Sequence, residues 1–219
     1  AANSPPPPLT VADRVASINA RFHRDPGLAY WDPSGKLADA GVLVHILDGW
    51  EDHMQQWRAF GDQSTSLISS CARVGAIPVF NLAPVGLIFK PGVARIKCAK
   101  GGDSGGHCGG WCPSVSDVGD VASYGYPGDG CGGSWKPQDI GIFCQRQCAW
   151  RKLSGRSQYN ELIVDGDVWT ASLPDTIDAI IGDAWQHEAF LKEFELTAVD
   201  VPLVQANWFD WETPFSAVL

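Results

Sequence analysis

The chain has 219 residues, 45% of them hydrophobic and 19% charged, with a net charge of −9; this fits one large domain or one domain carrying a sizeable insertion. No block of Lys and Arg is present to neutralise phosphates, which argues against a nucleic-acid surface. No apolar run reaches the roughly 20 residues that span a bilayer, since the longest, 74–89, is broken by Pro78, Asn81 and Pro84.

Residues 1–8 hold Pro5, Pro6, Pro7 and Pro8 and read as an extended polyproline-type arm that contacts a partner. The start Ala1-Ala2-Asn3 fits a mature chain released after a small-residue cleavage site. Thr10 is placed to cap a helix, with Asp13 where a capping box usually carries Glu or Gln. Val11, Val15, Ile18 and Phe22 follow at helical spacing, and the helix should end near Arg24. Residues 40–47 form a continuous apolar, β-branched run and read as a buried strand closed by Asp48-Gly49. Residues 51–60 are ambiguous between loop and short helix. The stretch 65–74 reads as a helix with Leu67, Ile68 and Cys71 on one side. Residues 76–80 and 85–89 are candidate strands, the first demoted to an edge or bulge by Pro78.

The stretch 98–148 differs from everything around it. It holds six of the seven cysteines and 13 of the 24 glycines, with no Leu or Met. Such a stretch lacks the apolar surface to hold its own shape and needs covalent staples or metal. Cys98, Cys108, Cys112, Cys131, Cys144 and Cys148 allow 15 disulfide pairings. The pairs 108/112 and 144/148, with His107 nearby, also invite a zinc reading. Six thiols overfill one tetrahedral site, however, so three disulfides are expected, with no metal and no cofactor. Cys71 is then a spare, buried thiol. Within the stretch, residues 136–139 look like a helix start, with Cys144 and Cys148 one turn apart.

Beyond Gly155 the chain is regular again. Residues 159–164 read as a strand. A helix should follow with Pro174 in its first turn and Leu173, Ile177 and Ile180 on its buried face. A further helix is expected over about 184–195, then a turn at 197–200. The last residues, 205–219, carry Trp208, Phe209, Trp211 and Phe215 and read as an aromatic tail, either a clamp over its own core or, as expected here, a surface that binds a partner. Strand-then-helix order at 40–74 and 159–195 predicts an α/β or α+β fold. Its form is a small sheet with flanking helices plus a disulfide-stapled, Gly-rich insertion at 98–150. The domain plan is thus a Pro-rich arm (1–8) and a single domain (9–219).

Two catalytic signals are present. Gly102-Asp103-Ser104-Gly105-Gly106 resembles the segment around the nucleophile of chymotrypsin-like proteases. Only 103 residues precede Ser104, and His23, His45 and His53 lack the required setting, so the match is attributed to a Gly/Asp/Ser-rich tract. The second signal is the strand end at His45 and Asp48. If that strand neighbours the one ending at Asp165, the three face one another across a cleft suited to acid/base work on a glycan or ester. The bland alternative is a satisfied core histidine beside two ordinary turn aspartates, and it is favoured.

The pieces Ala-Gly-Val-Leu-Val-His (40–45), Tyr-Asn-Glu-Leu-Ile-Val-Asp (159–165) and Val199-Asp200-Val201-Pro202-Leu203 resemble cysteine- and tryptophan-rich secreted or lumenal proteins of marine microalgae. The resemblance implies an oxidising compartment, a secretory route or a thylakoid lumen, and no mechanism. Ten tryptophans spread along the chain offer core cover or contact surfaces, and pigment contact is conceivable for some. Together these signals lead to an expectation of a non-catalytic linker subunit on a larger protein complex, peripheral to a membrane assembly such as a photosystem–antenna complex. A secreted hydrolase or glycan-binding protein using His45, Asp48 and Asp165 is the alternative.

Overall fold

In the computed structural model, residues 9–27, 39–47, 63–71, 85–100, 137–154, 161–169, 172–207, 210 and 212–218 are described. Eight strands form one mixed sheet: β1 (Val42–Leu47), β2 (Gln63–Ile68), β3 (Val85–Phe89), β4 (Ile96–Lys100), β5 (Glu161–Val164), β6 (Ile177–Ile181), β7 (Leu203–Ala206) and β8 (Phe215–Ala217). Their order is β4-β5-β2-β1-β3-β6-β7-β8. Every pairing is antiparallel except β6–β7. Among the described residues four helices accompany the sheet: α1 (Val11–His23), α2 (Ile140–Ser154), α3 (Leu173–Thr176) and α4 (Ala184–Glu193). The fold is therefore α+β, a sheet with accompanying helices as the sequence suggested.

Helix α1 begins as its sequence requires. The Asp13 amide donates to Thr10 Oγ1 at 3.1 Å, and the Thr10 amide donates to Asp13 Oδ2 at 3.1 Å. Asp thus performs the reciprocal role of the usual Glu. Ile18 and Phe22 are fully buried on one sheet face, beside Val42, Val44, Ile68, Ile88, Ala179, Val204 and Phe215. The opposite face carries Leu67, Leu87, Phe89, Leu162, Ile177 and Ile180, covered by Ile140 and Phe143 of α2 and Phe190 of α4. Each such side chain contributes about 1.5–3 kcal/mol on burial, so both layers matter to stability.

Gly41 shows how tightly α1 meets the sheet. It enters β1 at φ +72° with Leu67 Cδ1 only 2.8 Å from where a Cβ would stand, and its amide donates to the Arg21 carbonyl at 2.7 Å. The positive φ favours glycine, and a Cβ there would make the Leu67 side chain shift.

Three elements differ from the sequence reading. The expected helix at 65–74 is strand β2, with Thr65 and Leu67 towards one face and Ser66 and Ile68 towards the other. A short apolar run with Ser and Thr is ambiguous in period, and the Thr65 hydroxyl settles it by donating to the Leu162 carbonyl at 2.6 Å across the β2–β5 pair. The expected helix through Ile177 and Ile180 is one turn, α3, followed by strand β6. Pro174 does sit in the first turn. The segment Ile-Asp-Ala-Ile-Ile is buried throughout because β3 and β7 flank it on both edges. Strand β4 was not anticipated at all.

The turn at 197–200 forms as expected. Asp200 accepts from the Thr197 amide and hydroxyl at 2.8 and 2.7 Å, and Arg14 of α1 donates to the Asp200 and Val199 carbonyls. The expected strand at 76–80, the ambiguous stretch 51–60 and most of the insertion lie outside the described residues. The insertion's two ends are core: Cys98 and Ala99 on β4, and Ile140, Phe143, Cys144 and Cys148 on α2 are buried.

Candidate functional site

The acid/base hypothesis needs β1 and β5 to be neighbours. They are not. β2 lies between them, pairing Val44 with Ser66 on one side and Thr65 with Leu162 on the other. His45 and Asp165 stand at the same end of the sheet, but two strand spacings and about three residues apart, about 14 Å between Cα atoms. His45 is buried, directly opposite Leu87 of β3, as a core histidine is, and it is engaged there. Asp165 forms an ion pair with Arg95 across the β4 edge, and its amide donates to the Arg95 carbonyl at 2.9 Å. Asp48 lies outside the described residues.

A cleft opens among the described residues beside Arg21, lined by Leu43, Leu67, Phe89, Lys90 and Ile96. Its volume is about 20 Å³, room for about one water and far short of a sugar ring. Lys90 is already committed, donating to the Pro174 carbonyl.

The cysteines carry the most informative geometry. Cys71 and Cys148 form a disulfide across 77 residues. This corrects the expectation that Cys71 is the spare thiol. Among the described residues the free thiol is Cys144, buried in the core one turn before Cys148. The reason is directional: Ile140, Phe143, Cys144 and Cys148 share the apolar face of α2, and the turn after β2 brings Cys71 to the last of them. Nothing in the spacing of seven cysteines reveals which one a distant strand will meet. Cys98 is also disulfide-bonded. Its partner lies outside the described residues. Burial, and then the nearby Asp25 charge, push the Cys144 thiol far above its ordinary range, so it is a protonated core residue rather than a nucleophile.

The residue that sequence reasoning missed is Arg21. It is buried on α1, and its Nη2 donates to Asp178 Oδ2 of β6 at 2.7 Å. The Arg21 Nε has no hydrogen-bond partner among the described residues. An Arg on the apolar side of a helix one residue before Phe22 was the available signal.

Of the residues expected to bind a partner, Phe215 is turned into the core. It is buried edge-on to Phe22, centroids 6.5 Å apart. The Asn19 side-chain amide donates to the Phe215 carbonyl at 2.8 Å, and its oxygen accepts the Phe215 amide at 3.1 Å. This part of the tail clamps its own core. Trp208, Phe209, Trp211 and Pro5 to Pro8 lie outside the described residues, as do Cys108, Cys112 and Cys131. Among the described residues, the large apolar side chains that stand in solvent are Leu9, Ile142, Trp185 and Val199, with Trp185 at 59%. No helix among the described residues is long and apolar enough to cross a membrane.

No protein-family model, no curated protein and no solved structure matches this chain.

Proposed function

We infer that the chain is a non-catalytic, disulfide-braced structural subunit that docks on a larger protein assembly. The observation that carries this reading is Trp185, held out in solvent at the start of α4. Tryptophan is the side chain most enriched among interface anchors, because it buries a large rigid surface at little entropic cost. Ile142, on the second helix of the same layer, is exposed as well. Asp165, by contrast, is tied in a structural pair, and His45 is buried in the sheet.

Under this reading the disulfide belongs to an oxidising compartment, either a secretory route or a thylakoid lumen. The assembly is then a photosystem–antenna complex approached from its lumenal side, as the algal resemblance implies. The experiment is a pair of isosteric substitutions, Asp48→Asn and Asp165→Asn, in the full chain. Both variants should fold and enter the native assembly like the wild type. An enzymatic activity present in the wild type and lost in a folded variant would refute the reading.

A further inference from the structure

Around Asp25, three parts of the chain that are distant in sequence meet: the segment after α1, the turn after β2 and helix α2. Asp25 Oδ1 lies 3.7 Å from Cys71 Sγ and 3.6 Å from Cys148 Sγ, and the three donor atoms all fall within 4.8 Å of one another. The carboxylate is held in place. Oδ1 accepts the Gly27 amide at 2.8 Å, and the Gly27 carbonyl accepts the Gln145 side-chain amide of α2 at 2.7 Å. Gly27 lies so close to the helix that a Cβ would stand 2.7 Å from the Gln145 backbone nitrogen. Only glycine lets this loop press Asp25 against the two cysteines.

The geometry points to a zinc-type divalent-metal site made by Asp25, Cys71 and Cys148, closed while the two cysteines are bridged and opened by their reduction. Tetrahedral zinc, with Zn–S about 2.3 Å and Zn–O about 2.0 Å, spaces sulfur and oxygen ligands about 3.5 Å apart and two sulfurs about 3.8 Å apart. Both sulfur–oxygen spacings here already have that size. Only the sulfurs need to part, which breaking their bond permits. Three ligands from three elements leave a fourth position for water, for the Ser69 hydroxyl, 3.4 Å from Cys71 Sγ, or for Cys144, one turn before Cys148. The hydrogen bond from Gly27 supplies the outer support that orients a ligating carboxylate.

The charge balance favours a dication as well. Two thiolates beside a carboxylate place three negative charges in a partly buried pocket, which a dication offsets. The chemistry runs in two balanced steps. A dithiol reductant forms its own disulfide as the Cys71–Cys148 bond breaks, and its two protons pass to the two thiols. Metal binding then releases those two protons to solvent as the thiolates coordinate.

The test uses the full chain, treated with a phosphine reductant without oxygen and then freed of it, with Zn²⁺ alone added. Bound zinc is counted, and alkylation of each cysteine is followed by peptide mass. Reduced wild type should hold one more zinc than reduced Cys71→Ser or Asp25→Asn. Zinc should slow alkylation of Cys71 and Cys148 by about tenfold or more, and the unreduced protein should gain no zinc on these residues. Equal zinc in wild type and Cys71→Ser overturns the proposal, as does protection confined to Cys98, Cys108, Cys112 or Cys131. Should the variants fail to fold, the alkylation pattern of the wild type alone decides.

Discussion

Replacing Arg21 by Met tests how this fold holds its two layers together. The guanidinium and the Asp178 carboxylate are only 3% and 9% exposed, so the relevant scale is that of buried pairs and not the 0–1 kcal/mol of surface ones. Arg21→Met leaves a carboxylate buried in β6 without its cation, which costs about 3–5 kcal/mol. For a domain of ordinary stability, about 5–15 kcal/mol, that is about a fifth or more of the total. The backbone role of residue 21, accepting the Gly41 and Arg24 amides, is untouched by the change, so the loss reports on the side chain. Arg21→Met with Asp178→Leu removes both charges together with the guanidinium nitrogen that lacks a partner among the described residues; such paired replacements are neutral or stabilising. Urea unfolding of wild type, both single variants and the double variant gives a coupling energy, expected at about 3 kcal/mol or more. A cost below about 1 kcal/mol for Arg21→Met, or a double variant no better than the singles, would refute the reasoning.

The remaining expectations are independent of that pair. Cys71→Ser opens a loop of 77 residues and should cost about 4 kcal/mol, read as a fall in the urea midpoint; an unchanged midpoint would show that the bridge does not brace the fold. Because the Cys144 thiol is raised in the folded state, its contribution is complete below the ordinary thiol range and is lost as pH rises, because the unfolded chain ionises first. Stability should therefore fall by up to about 1.4 kcal/mol per pH unit in that range, and Cys144→Ala should remove this slope; an identical slope in the variant contradicts the burial of the thiol. Asp200 behaves in the opposite sense. Hydrogen bonds from the Thr197 hydroxyl and amide hold its carboxyl below the ordinary value, so its contribution is present above that value and fades as pH falls through the lowered one. Thr197→Ala should shrink the acid-induced loss of stability, and equal acid profiles would argue against the turn geometry.

How much of this was legible in the sequence depended on where each residue finds its partner. Helix α1 was readable because its cap is local: Thr10 and Asp13 satisfy each other three residues apart. Strands β1, β3 and β5 were readable because continuous apolar runs bounded by turn residues leave little choice. Strands β2 and β6 were misread for one shared reason. Their buried polar residues, Thr65 and Asp178, look like breaks in a strand until the distant groups that satisfy them are known. Those groups are the Leu162 carbonyl and the Arg21 guanidinium, 97 and 157 residues away. The same distance hid the Cys71–Cys148 bridge. Composition reported that disulfides were needed, but only the meeting of β2 with α2 decides which cysteines share one. Asp25 and Gly27 follow the end of α1 with no motif around them, and their contact with the bridge belongs to the folded chain alone.

The central claim, that this is a docked structural subunit, is tested most directly by sedimentation of the untagged full chain in a gentle extract of the cells that make it, beside Trp185→Ser. The wild type should sediment with an assembly several times its own 23.6 kDa. Trp185→Ser, equally stable to urea because the side chain is exposed, should shift to the position of a monomer. A wild-type chain that sediments as a monomer, or a variant that stays in the assembly unchanged, contradicts the account.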